Sequence, residues 1–534
     1  MEVPVKTLSE ALSLEIFHHV FASVAEEMGV TLGRTGYSAN IKERLDYSCA
    51  LFLSDGRMLA QAAHIPVHLG AMPASVRAAI AHGAPFAPGD VVILNDPYLG
   101  GTHLPDITMV SPVFFDPDGQ PDFFAASRAH HADIGGMEPG SMPLSTELYQ
   151  EGLIIPPIKL VEKGQLNQGV FDMIIRNSRT PSERRGDLNA QRAAHKVGER
   201  RLYAIVERYG LDELKRQAQN LIDYAERLTR NWLVDLPEGQ FSFEDVLDDD
   251  GINEQSIPIK LTLNVQADSL TVDFSGSSPA VRGSVNAVRA IVESAVGYVI
   301  RCVAGDDLPM NEGIFNPVEL RVPTESVLDP GPPHAVAGGN VETSQRIVDV
   351  LYGALAQALP HLIPAASQGT MNNLSFGGID PQTRRPFAYY ETMGGGSGAG
   401  PDADGASGLH THMSNTLNTP IEALELAYPV RVERYAVRTG SGGSGQQQGG
   451  DGLIRSFRFL APARVTLLSE RRRHSPYGLA GGQPGQVGHN RLLAADSRES
   501  EDLPGKCSLD LNMGDLLTIE TPGGGGWGEV DDKS

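Results

Sequence analysis

The sequence is poor in cysteine, in basic residues and in long apolar runs. Only 3 of 534 residues are cysteine, too few for a disulfide framework or a cysteine-type zinc finger, so a reducing cytoplasm is expected. Asp and Glu outnumber Lys and Arg by 66 to 43. The basic residues form no stripe, which argues against nucleic acid or an anionic membrane as a partner. No run of about 18 apolar residues occurs, so neither export nor membrane spanning is predicted.

Two signatures of catalysis are also missing. No glycine-rich segment has the GxxxxGK[ST] spacing of a phosphate-binding loop, and none lies between a strand and a helix as GxGxxG, so no self-contained nucleotide site is predicted. The GxSxG and SxxK patterns of serine nucleophiles are absent, and Cys49 lies in an apolar segment, so covalent catalysis is not expected. The glycine clusters at 394–400, 440–450 and 521–528 indicate tight turns and close packing instead.

The apolar residues predict both helices and strands. Helical spacing over 7–32 predicts a long amphipathic helix, and a helical pair is predicted at 191–210 and 211–228. Alternation around an Asp-Gly pair predicts a β-hairpin over 48–60. Two further β-rich runs, 91–95 and 107–115, bracket a loop that holds several candidate functional residues.

The length of the chain predicts more than one domain, because 534 residues exceed what one hydrophobic core accommodates. The fold class is expected to be α+β, with mixed sheets, helical segments and a glycine-rich, β-dominated C-terminal third. A boundary near 235 divides the chain into an N-terminal metal-site domain, 1–235, and a C-terminal mixed α/β region, 236–534.

Histidine and carboxylate residues concentrate between 95 and 136. Residues 95–106 read NDPYLGGTHLPD, and residues 128–136 read RAHHADIGG. Imidazole nitrogen and carboxylate oxygen bind Zn or Mn, and an open coordination position lets such an ion make a nucleophile from water. The sequence therefore predicts a metal-assisted, hydrolytic site.

The choice of ligands follows from local geometry. Pro105 prevents a regular helix between His103 and Asp106, so these side chains would converge from a turn on the loop between the two predicted strands. A lone HxxD pair is more often a hydrogen-bonded loop histidine, and the second motif is what favours a metal. Successive residues of an extended segment face opposite ways, so only one of His130 and His131 can enter the site, and His130 is predicted.

Five ordered motifs resemble the hydantoinase B/oxoprolinase family over essentially the whole chain. They are NDPYLGGTHLPD at 95–106, RAHHADIGG at 128–136, GDLNAQ at 186–191, GGNVETSQR at 338–346 and TPGGGGWG at 521–528. That family comprises the B-type subunits of ATP-dependent hydantoinases, bacterial 5-oxoprolinases and caprolactamase-like lactamases. It is similar to the metal-bearing subunit of acetone carboxylase.

The resemblance implies a division of labour between two subunits. An A-type subunit with an actin-like fold would use ATP and Mg to phosphorylate the oxygen of a cyclic amide. The B-type chain would act on the activated species at one divalent metal, Zn or Mn. A heterotetramer or larger assembly is the expectation.

The resemblance also implies a ligand set. His103, Asp106 and His130 carry over as ligands, and so does Asp46, which from the residues alone reads as an ordinary turn carboxylate. Asp133 and Asp96 remain as catalytic candidates. Either could hold a ligand imidazole in its tautomer or accept the proton of the attacking water.

Two other functions share these residues. An acetone carboxylase-like, ATP-dependent carboxylase would use the same metal to form a C–C bond, although the chain is shorter than expected for a carboxylase. A non-catalytic scaffold subunit would hold the ion in a closed, purely structural site.

Overall fold

The computed structural model describes residues 5–62, 64–68 and 70–530. The helices are α1 Val5–Thr35, α2 Ala39–Lys42, α3 Met72–Gly83, α4 Gln168–Arg176, α5 Pro181–Tyr209, α6 Leu211–Val234, α7 Arg289–Ala304, α8 Ser344–Ala358 and α9 Ile421–Ala427. Three-residue 3-10 turns lie at Pro66–His68, Pro97–Leu99 and Leu148–Gln150, a longer one lies at Glu312–Phe315, and a π-helical turn at Gly339–Thr343 leads into α8.

The strands of the N-terminal half are β1 Tyr47–Leu53, β2 Met58–Gln61, β3 Val91–Leu94, β4 Asp106–Val113, β5 Phe123–His130, β6 Ile158–Glu162, β7 Gln165–Leu166, β8 Gly239–Leu247, β9 Ile257–Gln266 and β10 Ser269–Asp273. Those that follow are β11 Val318–Arg321, β12 Asn373–Ile379, β13 Pro386–Glu391, β14 Val430–Arg438, β15 Gly452–Phe459, β16 Ala463–Leu468, β17 His489–Leu493, β18 Glu501–Leu503, β19 Lys506–Leu511 and β20 Leu516–Glu520.

The first sheet is antiparallel and covered on both faces. Its order is β2-β1-β5-β4-β3-β6-β7. Because strand residues alternate between faces, Leu51 and Ala125 pack against α1, α5 and α6, whereas Phe52 and Ala126 pack against α3. Burial on both faces explains why β5 is buried along its whole length.

The second sheet has the order β11-β10-β9-β8, with β10 and β11 parallel. Helix α8 packs on β8 and β9, and α7 packs against α8. The apolar core here is the largest of the molecule and contains Ile107 of β4, Ile259 of β9 and Val348 of α8. That core joins residues from both sides of position 235, and the predicted domain division stays a prediction.

The third and fourth sheets form a sandwich. Their strand orders are β13-β12-β16-β19 and β14-β15-β20-β17-β18. Phe376 and Val465 of the third sheet share one apolar core with Phe457 and Ile519 of the fourth. The sandwich confirms the expected β-dominated C-terminal third.

Glycine-rich segments pack side by side next to this sandwich. We call 394–400, 440–450, 477–485 and 521–528 the glycine bundle. Its segments bond through their backbones, as in Gly443 N to Gly524 O (2.8 Å) and Gly524 N to Gly450 O (2.9 Å). A Cβ at Gly524 would overlap the carbonyl of Ser397. The expected close packing is therefore confirmed, whereas the expected tight turns do not occur at 521–526, where the backbone forms no turn.

Most expected elements are confirmed, including the hairpin over 48–60 and the α+β class. Helix α5 begins ten residues earlier than the expected start at 191, at Pro181, and Gly210 separates it from α6. Asp106 is the first residue of β4 rather than a loop residue. Across the described parts of the chain, no helix is both long and apolar enough to cross a membrane.

Candidate metal centre

Polar side chains form a strip at one end of the first sheet. The polar strip consists of Asp46, Ser48, Asp106, Thr108, Arg128 and His130. Register aligns it: Asp106 pairs with His130, Thr108 with Arg128 and Ser48 with Arg128. Every second residue of a strand points to the same face of the sheet. The strip therefore lies on the face on which Ala126 packs against α3. The strip is thus the point at which an apolar sheet face becomes polar.

His103 and Asp106 meet where the turn enters β4. His103 Nε2 lies 3.3 Å from Asp106 Oδ1, and both residues are fully buried. The other ring nitrogen of His103, Nδ1, donates to the carbonyl of Ala337 at 3.2 Å. That bond places the proton on Nδ1 and leaves the lone pair of Nε2 directed at the cluster.

His130 joins them from the last position of β5. Ligand atoms of His103, Asp106 and His130 all lie within 4.8 Å of one another. Nδ2 of Asn40 lies 3.1 Å from His130 Nδ1, whereas Asn40 Oδ1 is buried without a hydrogen-bond partner among the described residues. Turning this carboxamide about its last bond would bring Oδ1 to Nδ1, where it accepts the ring proton and leaves Nε2 its lone pair. His131 turns away, as expected, and contacts Gln191 at 3.1 Å.

Asp46 and His68 line a small cavity of about 20 Å³, which also touches Asp106, His130 and Tyr390. His68 Nε2 lies 3.5 Å from Asp106 Oδ2, while its Nδ1 lies 2.9 Å from Ser48 Oγ. The ring of Tyr390 stacks on His130 at 4.5 Å.

The protonation of the cluster follows from its surroundings. Burial raises the pKa of the Asp46 carboxyl. Burial acts in the same direction on Asp106, but His103 and His68 outweigh it and hold that pKa well below its usual value. For His130, burial and then the neighbouring His103 lower the pKa well below its usual range. A neutral imidazole beside an ionised carboxylate is the protonation state that a divalent ion requires.

The amino-acid sequence matches the hydantoinase B/oxoprolinase family over residues 10–530. The chain belongs to this family. It is 42% identical to 5-oxoprolinase 1 of Arabidopsis thaliana, over 98% of this chain and 42% of that protein. It is 31% identical to the B-type subunit of a putative D-/L-hydantoinase from a Pseudomonas strain, over 97% of this chain and 90% of that protein. The chain thus spans about two fifths of the plant relative and nearly all of the bacterial one.

Two solved structures share the fold of this hydantoinase B/oxoprolinase chain. An ATP-dependent caprolactamase from Pseudomonas jessenii superposes with a TM-score of 0.89 at 29% identity, covering 97% of this chain and 91% of that one. A nucleotide-free acetone carboxylase superposes with a TM-score of 0.90 at 17% identity, covering 97% of this chain and 76% of that one. At the lower identity the likeness shows the fold alone.

The family motifs position the cluster from outside. In GDLNAQ, Asp187 Oδ1 accepts from the backbone N–H of Ser38 at 3.0 Å, next to the helix that carries Asn40. Gln191 of the same motif donates to Ile107 O at 3.0 Å. The GGNVETSQR motif brings Asn340 to 3.0 Å from His103 Nε2. Two motifs that are distant in sequence thus contact the surroundings of His130 and of His103, respectively.

Both catalytic candidates bond to groups other than the ligand imidazoles. Asp133 accepts from Gly135 N (3.1 Å), Gly140 N (3.3 Å) and Arg179 Nη1 (2.9 Å). Asp96 caps the 3-10 turn at Tyr98 N (2.9 Å), and burial raises the pKa of its carboxyl. The imidazole-holding role falls to Ala337 and Asn40 instead, and catalytic roles for Asp133 and Asp96 stay predictions.

Residues that sequence reasoning missed come from distant segments. Asn40, His68 and Tyr390 lie in segments without a metal-ligand pattern, and only the fold brings them to the cavity. Asn340 could have been predicted, because it lies in the motif GGNVETSQR, which the sequence analysis identified.

The donor set fits a divalent cation. Asp106 Oδ1 and His130 Nε2 are buried, and neither finds a hydrogen-bond partner within the described ranges. Buried polar atoms without partners are costly unless a ligand satisfies them. Two imidazoles with carboxylates match Zn or Mn chemistry.

Proposed function

We propose that this chain is the metal-binding, B-type component of an ATP-dependent cyclic amide hydrolase. Its substrate would be 5-oxoproline, a hydantoin or a similar lactam, activated by phosphorylation on an A-type partner. The observation that carries the proposal is the buried convergence of His103, Asp106 and His130 in a member of a family with 5-oxoprolinase and caprolactamase relatives. Asp46 lines the same cavity and is proposed as the fourth ligand.

The chemistry explains why activation and hydrolysis are separate. Resonance makes an unstrained amide a poor electrophile, and phosphorylation of its oxygen gives an imidate with a good leaving group. A bound divalent ion would supply Lewis acidity, which lowers the pKa of water toward about 7. Overall, ATP and water are consumed, and ADP, phosphate and the ring-opened acid are released.

The residues of this chain hold and shield the reacting groups. Ala337 O accepts the Nδ1 proton of His103, and Asn40 would accept that of His130 with its carboxamide oxygen turned toward Nδ1. The full burial of His103 and Asp106 keeps bulk water away from the cluster, which strengthens electrostatic interactions there.

The charge around the cavity suits an anionic substrate. Two fully buried arginines accompany the carboxylates: Arg44 lies 3.8 Å from Asp46 Oδ2, and Arg128 donates to Thr108 Oγ1 (2.9 Å) and Ser75 Oγ (2.7 Å). These two cations balance Asp46 and Asp106. A divalent ion would therefore add an excess of positive charge, and a phosphorylated amide is an anion that such an excess attracts.

The partner is proposed from the part of the plant relative that this chain does not match. The match covers 90% of the hydantoinase relative, which is itself named as one subunit, but only 42% of the plant 5-oxoprolinase. The unmatched part of the longer protein would carry the ATP-dependent step. A heterotetramer or larger assembly with the A-type subunit is expected, with ATP and Mg held by that partner.

The test is reconstitution of the chain with its A-type partner. Each of 5-oxoproline, hydantoin and caprolactam would be incubated with ATP and Mg, and ADP and ring-opened product would be measured together. We expect product only with both subunits and a divalent metal. The matched variant His103→Ala should abolish ring opening, whereas His195→Gln, on the opposite face of the sheet, should not.

Other outcomes would replace the proposal. Bicarbonate-dependent turnover of a ketone, without ring opening, would identify a carboxylase. A bound ion whose loss leaves turnover unchanged would identify a scaffold with a structural metal. Ring opening by this chain alone would contradict the two-subunit scheme.

A further inference from the structure

Asn340 lies among the proposed ligands at an unusual point of the backbone. It belongs to the π-helical turn Gly339–Thr343 that precedes α8, and such turns are frequent at functional sites. Gly339 packs so closely that a Cβ there would overlap the carbonyl of Asn286. Asn340 is 3% exposed and lines the cavity with Asp46 and His130. The turn therefore holds a carboxamide rigidly against the cluster.

The two ends of the Asn340 carboxamide differ in their hydrogen bonds. Its Nδ2 lies 3.0 Å from His103 Nε2 and 3.4 Å from Asp106 Oδ2. Its Oδ1 is buried and accepts no hydrogen bond from any residue that the structure describes. A buried carbonyl oxygen that accepts nothing is costly unless another group satisfies it.

The contacts of His103 decide which end of Asn340 can face an ion. Because Nδ1 of His103 donates to Ala337 O, the lone pair through which this ring can bind an ion is that of Nε2. An ion held by His103 takes that lone pair, so the N–H of Asn340 loses its acceptor there. Turning the carboxamide by half a rotation about its last bond exchanges Nδ2 and Oδ1, and it brings the unpartnered oxygen to the cluster.

We propose that Asn340 is a further metal-facing residue, which presents Oδ1 to the divalent ion held by His103, Asp106 and His130. The inference rests on the proposed metal site and adds an oxygen donor from the second half of the chain. Carboxamide oxygen is an accepted ligand for hard and borderline divalent ions. The metal would then tie the α8 region to the polar strip.

The test separates an oxygen donor from an N–H donor. Apparent dissociation constants for Mn²⁺ and Zn²⁺ would be measured by chelator competition on the purified chain, with thermal melting as a check on folding. Asn340→Ala should weaken binding by about 10- to 100-fold. Asn340→Asp, which keeps an oxygen and has no N–H when ionised, should bind at least as tightly as the wild type.

Controls make each outcome decisive. Asn311→Ala removes a buried asparagine whose groups bond Leu221 O and Gly313 N far from the cluster, and it should leave metal affinity unchanged. The visible spectrum of the Co²⁺-loaded chain should change in Asn340→Ala and be largely restored in Asn340→Asp.

The contrary results are equally distinct. Metal binding by Asn340→Asp as weak as that of Asn340→Ala, or unchanged binding and spectrum in Asn340→Ala, would overturn the inference. His130→Ala separates the role of Asn340 from the site as a whole. If it loses the metal while Asn340→Ala keeps it, only the role of Asn340 fails. If it keeps the metal, the proposed site fails as well.

Discussion

The polar strip is buried, and so are residues 521–526 of the glycine bundle, but the two regions differ in how their buried polar groups are satisfied. In the strip, side chains crowd together, and Asp106 Oδ1 and His130 Nε2 lack partners among the described residues. In the bundle, backbone groups of neighbouring segments satisfy one another, as in Ala399 N to Gly525 O at 2.9 Å.

The difference indicates that the strip binds a ligand and that the bundle supports the fold. Glycine segments approach within backbone contact because no Cβ intervenes, so their backbone groups bond one another. The strip leaves donor atoms unsatisfied, and burial makes this costly unless a ligand is bound. We therefore expect substitutions in the bundle to act on folding, and substitutions in the strip to act on the metal.

The largest effect is expected in the bundle. Gly524→Ala should destabilise the chain by more than about 4 kcal/mol, because the methyl group would overlap the Ser397 carbonyl inside packed backbone. Soluble yield and chemical denaturation would measure it. Gly169→Ala is the control, since this helical position has only a side-chain atom at 3.6 Å. Equal stability of the two variants would contradict the packing argument.

Next in size is the loss of a ligand. His103→Ala should lose bound metal and lower turnover of the reconstituted pair by at least ~100-fold, since even partners of ligands contribute 10- to 100-fold. Metal content by elemental analysis and ring opening would be compared. The control His195→Gln alters another buried histidine, which bonds Ser111 and Ser127. Retained metal in His103→Ala would place the site elsewhere.

A smaller effect on metal affinity is expected at Asn40, which contacts the proposed ligand His130. Asn40→Ala should weaken metal affinity by about 10- to 100-fold, because His130 loses the group that fixes its tautomer. Asn40→Asp should keep the affinity, since its carboxylate also accepts the Nδ1 proton. Chelator competition measures both variants. If they were equally weak, the carboxamide would serve packing rather than the imidazole.

The smallest effect on the reaction is expected at Asp133. Asp133→Asn should lower stability by about 1 to 3 kcal/mol, because backbone N–H groups and Arg179 lose a charged acceptor. Turnover at saturating substrate should stay within about threefold, well under the effect of a general base. A loss of 100-fold or more would instead support the catalytic role that the sequence predicts for Asp133.

The residues predicted part of the site and missed the rest for a physical reason. His103 and Asp106 were visible because residues on either side of a proline share one turn, and His130 because strand residues alternate. Asp46 entered by family resemblance, and its ionic surroundings became visible only through the fold. Asn40 and His68 lie outside the motifs, in segments where local sequence carries no signal of contact.

Local sequence by itself determined the elements, the fold class and the family, because periodicity, turn residues and ordered motifs act over short distances. Only the tertiary structure decided which distant groups surround the proposed metal. Strand register set Asp46, His130 and Asp106 in one row. The packing of α8 brought Asn340 against His103, and such contacts depend on how sheets and helices pack together.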